Sequence, residues 1–153
     1  MLYSRSTQYS IRALAHLATL PPHTYVPIRN LARSAQAPRP FLAKILQMLT
    51  RRGLLSSQKG PGGGVSLARN PAEIRLEDVV FAVDGVELSH RCVLGLPRCG
   101  DASPCAVHDI WKGLREALCQ ALHDRTLADL APAAAPPEPG SKRARARRRR
   151  ARG

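Results

Sequence analysis

No Asp or Glu occurs in residues 1–72, although that span carries ten Lys and Arg side chains before Glu73 breaks the run. A segment offering only positive charge is unsuited to basic partners and suited to phosphate. The chain also lacks any apolar run near the roughly 20 residues a membrane-spanning helix needs, and no polybasic stretch adjoins a long apolar segment. Nucleic acid therefore ranks above an anionic membrane as the partner of that charge, and no membrane association is expected. The N-terminal residues lack the charged, apolar, small-residue order of a secretory signal, so the chain is expected in the cytoplasm, where thiols stay reduced. Cysteines number only four, none of them in a Cys-x-x-Cys pair. They read as ligands or redox groups before they read as disulfides. The glycine-rich stretch at 60–64 has no Gly-Lys-Ser/Thr leading into a helix, which excludes a P-loop. No Cys-His pair has an evident substrate pocket, so neither enzymatic activity nor a small-molecule substrate is expected.

The positive charge is not confined to one end. Residues 132–153 hold eight of the 24 basic residues and one of the 11 acids, which leaves 16 basic against 10 acidic residues, a surplus of six, on the rest. With 153 residues and a 44% apolar share, one domain with a real core plus a tail is the expected organisation. The tail of Ala, Pro and Arg has almost nothing to bury and is expected to be disordered, either merely solvated or lending non-specific electrostatic help on DNA.

The spacing of apolar residues predicts a mainly helical chain with one small hairpin. Ile11, Leu14, Ala15 and Ala18 repeat at helical spacing after Ser6 or Thr7, either a fair N-cap, and Pro21-Pro22 stops the pattern. Pro27 opens a second short helix through Ile28, Leu31 and Ala32, followed by a break at Ser34 to Ala37. Phe41, Leu42, Ile45, Leu46 and Leu49 mark one face of a third, begun by Pro38 and Pro40 and closed near Gly53. Two short helices joined by a tight turn suggest a helix-turn-helix. The runs Leu54 to Gln58 and Val65 to Ala68, joined by Lys59-Gly60-Pro61-Gly62-Gly63-Gly64, then make the hairpin of a winged helix. Another short helix is expected over Leu76 to Val83, ending at Asp84-Gly85. From Ser103-Pro104 a long helix is expected to about His123, with Val107, Ile110, Leu114, Ala117 and Ala121 as a packing seam. That seam favours a homodimer reading two half-sites.

Two constellations carry chemistry. In the first, Arg39 and Lys44 lie where a recognition helix meets base edges. Arg51 and Arg52 close that helix, where the helix dipole accounts for them equally well. Lys59 with Gly60, Gly62 and Gly63 would bring the wing to the sugar-phosphate surface. A solvated helix face and a plain flexible turn are the bland alternatives. In the second, Cys92, Cys99 and Cys105 are separated by six and five residues, with His108 three positions after Cys105 on the expected helix. Thiolates with an imidazole suit a metal or an iron-sulfur cluster, and the segment with Gly95, Pro97 and Gly100 can wrap more than one ion. Cys119 is expected as a small core residue and His90 as a solvated side chain near enough to compete as ligand. His16, His23 and His123 have no identifiable partners.

In order along residues 1–131, Tyr9-Ser10-Ile11-Arg12-Ala13-Leu14, the Phe41-Leu42 to Ile45-Leu46 helix, the Gly60-Pro61-Gly62-Gly63-Gly64 wing, Asp78-Val79-Val80 with Ala82-Val83-Asp84, and Thr126-Leu127-Ala128-Asp129-Leu130 resemble the Rrf-type winged-helix transcription regulators, IscR- and NsrR-like. The match is most specific at the wing. The resemblance implies a winged helix-turn-helix over 1–85, a cysteine-containing cluster loop over 86–104, a dimerisation helix and short C-terminal helix over 105–131, and the basic tail over 132–153. It implies that Cys92, Cys99 and Cys105 supply thiolates to an iron-sulfur cluster. His108-Asp109-Ile110-Trp111 is similar to the cluster-regulator branch, which makes His108 the fourth ligand and favours 2Fe-2S over 4Fe-4S. An acidic residue that serves the four-iron cluster of the nitric-oxide-sensing branch has its counterpart here at Gln8. An acidic residue that discriminates target sites in the cluster regulator falls at Ala43. The function so implied is a cytoplasmic, homodimeric DNA-binding repressor of a double-stranded operator, its affinity controlled by a cluster that senses cluster status, redox state or nitric oxide. A zinc-stabilised or thiol-redox winged-helix protein without a cluster is the alternative.

Overall fold

The computed structural model of the chain describes residues 3–85 and 90–134. Helix α1 (Arg5–Leu17) is capped by Ser4, whose hydroxyl accepts the Thr7 amide at 3.1 Å. The hydroxyls expected as caps, at Ser6 and Thr7, lie inside the helix. Ser4 takes the role because its own amide is anchored on the Asp84 carboxylate at 2.9 Å, which fixes where the chain enters. Helix α2 (Ile28–Ala35) starts after Pro27 and runs through Ser34, past the expected break; it stops where Gln36 turns left-handed at φ 52°. Helix α3 (Arg39–Arg51) has Pro38 as N-cap and Pro40 in its first turn, where neither ring costs a helical hydrogen bond. Leu42, Ile45, Leu46 and Leu49 are buried beneath it, but Phe41 stays 44% exposed and stands edge-on to Tyr9 with ring centroids 6.0 Å apart.

Gly53, at φ 74°, reverses the chain into an antiparallel hairpin of β1 (Leu55–Gln58) and β2 (Gly64–Leu67), paired Leu55 with Leu67 and Ser57 with Val65. Val26, just before α2, exchanges backbone hydrogen bonds with Val65 at 2.9 and 3.0 Å and so ties the hairpin to the helix-turn-helix. That contact explains Gly64, since a Cβ there would sit 2.1 Å from the Val26 carbonyl oxygen. Gly63 is needed for a similar reason, with the Gln58 carbonyl oxygen 2.3 Å from where a Cβ would be.

Helix α4 (Leu76–Asp84) begins where the Arg75 amide donates to the Asp78 carboxylate at 3.0 Å, and ends at Gly85. Helix α5 (His108–His123) starts four residues later than the pattern suggests. Ser103 does not cap it: its backbone instead pairs with Gly100, and this tight turn through Asp101 replaces the first helical turn. Cys105 is consequently in the loop rather than on the helix. Helix α6 (Leu127–Ala134) runs three residues into the segment expected as tail, and residues 135–153 lie outside the described part. Its start is clamped to α4, with the Leu76 amide on the Arg125 carbonyl and the Leu127 amide on the Ile74 carbonyl, both at 2.9 Å.

One core joins the helix-turn-helix to α4 and α6. Leu14, Leu31, Leu42, Leu49, Ile74, Val79 and Leu127 are all inaccessible, each contributing about 1.5–3 kcal/mol by leaving water. Helix α5 stands apart, packed on α4, with Ile110 70% and Leu114 60% exposed. Among the described residues no helix is long and apolar enough to cross a membrane.

Candidate metal centre and nucleic-acid interface

Three of the four cysteines converge. The loop before α5 folds through turns that join the Gly95 amide to the Cys92 carbonyl and the His108 amide to the Cys105 carbonyl, both at 3.0 Å. The Trp111 indole then pins it by donating to the Arg91 carbonyl at 2.8 Å. The Sγ atoms of Cys92, Cys99 and Cys105 lie within 4.8 Å of one another, Cys92 and Cys105 at 3.9 Å. His108, first residue of α5 and buried, places Nδ1 3.2 Å from the Cys99 Sγ. The four expected ligands thus share one place, although by loop folding rather than by a common helix face.

The electrostatics suit a cation. The Leu96 amide, helped by that of Leu94 and by the neighbouring thiols, holds the Cys92 thiol down at about 7 against the cost of burial. Cys99 is moved the other way: a backbone hydrogen bond from Cys105 favours its thiolate, but burial and the adjacent Cys105 and Cys92 thiols together outweigh it. Three thiolates this close repel one another, so full ionisation needs a positive charge among them. Soft sulfur donors with one imidazole fit iron in a cluster or zinc.

Behind His108 lies a support that the pattern of residues did not reveal. Its Nε2 is 3.0 Å from the Asp101 Oδ1, and Lys112 Nζ reaches both Asp101 oxygens at 2.9 and 3.0 Å. The hydrogen bond from His108, then Lys112, keeps the Asp101 carboxyl below its usual range, and Asp101 in turn raises Lys112. An Asp two residues after a cysteine is only detectable once the Gly100–Ser103 turn swings it towards α5. His90 is exposed and outside the thiol group, as expected. Cys119 is half-buried near Tyr3, whose phenol is pushed up by burial and then by Cys119, and so is less enclosed than a core residue. His123 does have partners: its Nδ1 is 2.7 Å from the Glu77 Oε1, and the Arg75 guanidinium touches the ring.

Four basic residues line a groove whose lining includes none of the thiols. An open groove between α2, α3 and the hairpin is lined by Arg29, Arg39, Arg51 and Lys59, and also by Ala43 and Gly63. Lys44 and Arg52 are exposed but outside the groove, as are Gly60 and Gly62 at the hairpin tip. Left-handed φ values of 88° and 72° account for Gly60 and Gly62 within the chain. Arg29 was not singled out from the sequence; an exposed cation in the first turn of α2, where no helix dipole favours it, was the available signal.

A family model described as Rrf2, iron-dependent transcriptional regulator, matches residues 3–133. An HTH-type transcriptional regulator of Aquifex aeolicus (strain VF5) is 34% identical over 132 residues, covering 85% of this chain and 91% of its own. The transcriptional regulator IscR of Serratia proteamaculans (strain 568) is 29% identical over 123 residues, covering 80% and 74%. CymR, the global cysteine regulator of B. subtilis, superposes with a TM-score of 0.70 at 24% identity, covering 84% of this chain and 94% of that one, a likeness of fold.

Proposed function

The chain belongs to the Rrf2 family of transcriptional regulators, which are not enzymes, and from that premise we propose that it is a cytoplasmic, homodimeric repressor whose affinity for a double-stranded operator changes when an iron-sulfur cluster, 2Fe-2S rather than 4Fe-4S, is held by Cys92, Cys99, Cys105 and His108. The observation that carries the reading is the meeting of three thiols with the buried His108 ring. When bound there, an iron-sulfur cluster supplies reactivity towards oxidants and nitric oxide that thiols and imidazole alone do not have. The chain's own residues do the rest. Ligation would fasten the loop to the first turn of α5; Trp111 and Lys112 hold the same turn, and α5 rests on α4, which packs on α1 and α3. Two arrangements of that loop with different affinities for DNA would constitute the switch.

Arg39, Arg51, Arg52, Lys44 and Lys59 are proposed to meet the duplex, with Arg29 added, and Gly60, Gly62 and Gly63 to shape the wing that approaches it. Exposure of Ile110 and Leu114 along α5 favours a second copy packed there. One observation favours zinc as a second reading: Zn–S bonds of about 2.3 Å in a tetrahedron place sulfurs about 3.8 Å apart, close to the Cys92–Cys105 spacing of 3.9 Å.

The test is operator binding. Sites selected from random duplexes with anaerobically prepared protein are titrated with that protein, with chelator-stripped protein and with Cys92→Ala. The proposal expects affinities that differ by about tenfold or more between loaded and stripped forms, with the variant behaving as stripped. Equal affinities in all three would refute cluster control.

A further inference from the structure

A second cavity lies away from both the thiols and the basic groove, between the end of α1, the turn before α2 and the strand β2. It encloses about 350 Å³, at the lower end of the range for small-molecule sites. Leu20, Pro22 and Leu67 contribute apolar wall, and His23, Ser66, Arg69 and Asn70 are the polar residues of the lining. Among the described residues no acidic one lines it.

The lining favours an occupant with one negative end. Ser66 lines the cavity and is only 4% exposed; its hydroxyl can donate to an anion there. Arg69 is the only Lys or Arg in the lining and makes a single loose ion pair, 4.0 Å to Asp78, with both side chains well exposed. Its other guanidinium donors remain for a planar anion. His23, exposed in the turn closed by the Thr24 amide on the Pro21 carbonyl, also lines the cavity.

We propose that this cavity binds a small monocarboxylate with a compact apolar body, the carboxylate on Arg69 and Ser66 and the body against Leu20, Pro22 and Leu67. A phosphate monoester would bring about two charges to one guanidinium and leave the apolar wall unused, which argues for the carboxylate. Because the site bridges β2 and the turn into α2, its occupant would act as an effector on the wing, independently of what the cysteines hold.

Calorimetric titration of the full chain with benzoate, cyclohexanecarboxylate and isovalerate, with benzamide as the neutral isostere of benzoate, tests this. At least one carboxylate is expected to bind. Benzamide should bind about tenfold or more weaker than benzoate, and Arg69→Gln should abolish that preference. In amide NMR spectra the perturbed signals should fall at residues 17–23 and 66–71, and Ser66→Ala should weaken binding while preserving the spectrum elsewhere. Failure of all three carboxylates to bind, equal binding of benzamide and benzoate, indifference to Arg69→Gln, or perturbations centred on the cysteine loop would each overturn the proposal.

Discussion

The His108 Nδ1 faces the Cys99 Sγ at 3.2 Å while the other ring nitrogen is occupied by Asp101. A carboxylate that accepts from Nε2–H orients the imidazole with Nδ1 directed at the thiols. Lys112 bonds both oxygens of that carboxylate and stops it from rotating away. The ring is thereby oriented towards the thiols, as the proposed ligand role requires.

Asp101→Ala should therefore leave a folded protein whose metal site is altered. Supporting residues of this kind are worth roughly 10- to 100-fold in metal affinity, and the visible bands and reduction potential of the loaded protein should shift, with Asp101→Asn intermediate. Spectra and potentials identical to those of the parent protein would show that His108 is oriented by something else.

Gly64→Ala forces a Cβ against the Val26 carbonyl, 2.1 Å from its oxygen. The backbone pair between Val26 and Val65 must open, and a loss of about 2 kcal/mol or more is expected from urea denaturation. At Gly62 a Cβ would meet open space and only the left-handed φ of 72° is penalised, so Gly62→Ala should cost about 1 kcal/mol. The reverse order would contradict the role given to the Val26 bridge.

Glu at both Ile110 and Leu114 places charge on the exposed stripe of α5. Sedimentation should then show a monomer, against the dimer expected for the parent chain, with helical content unchanged. A dimer that survives both changes must use another face.

The Asp129 carboxyl lies below its ordinary range because the Thr126 amide, and then the Thr126 hydroxyl, donate to it at 2.8 and 3.1 Å. Its folded value is depressed, so its contribution to stability is present above the unfolded value of about 3.9 and is lost as pH falls through the folded one. Thermal unfolding between pH ~5 and ~3 should accordingly show a steeper decline for the parent chain than for Asp129→Asn. Parallel declines would remove this cap from the account of acid sensitivity.

The sequence made the winged helix legible because its signals are local: prolines at Pro27, Pro38 and Pro40 open helices, Gly53 closes one, and apolar spacing marks the faces. The cysteine centre was legible in composition but not in geometry. The helical pattern through Val107 suggested that Cys105 and His108 shared a helix, whereas the Gly100–Ser103 turn competes with the first helical turn and wins. Asp101 and Lys112 were hidden for the same reason, as their pairing depends on that turn. Gly63 reads from the sequence as part of the wing's DNA-facing surface; the Gln58 carbonyl inside the chain also requires it, as the Val26 carbonyl requires Gly64. His123 looked unpartnered because Glu77 and Arg75 are distant in sequence and meet it only across the α4–α5 packing.

Anaerobic purification followed by iron, sulfide and zinc analysis, with visible absorption spectra of the parent chain and of Cys92→Ala, Cys99→Ala and Cys105→Ala, tests the central claim most directly. The account predicts iron with matching sulfide, about two of each per subunit as for a 2Fe-2S cluster, and a chromophore lost in each single variant while the dimer stays folded. Zinc in place of iron, no metal after attempted reconstitution, or a chromophore retained by all three variants would contradict it and leave the thiols as a structural or redox group.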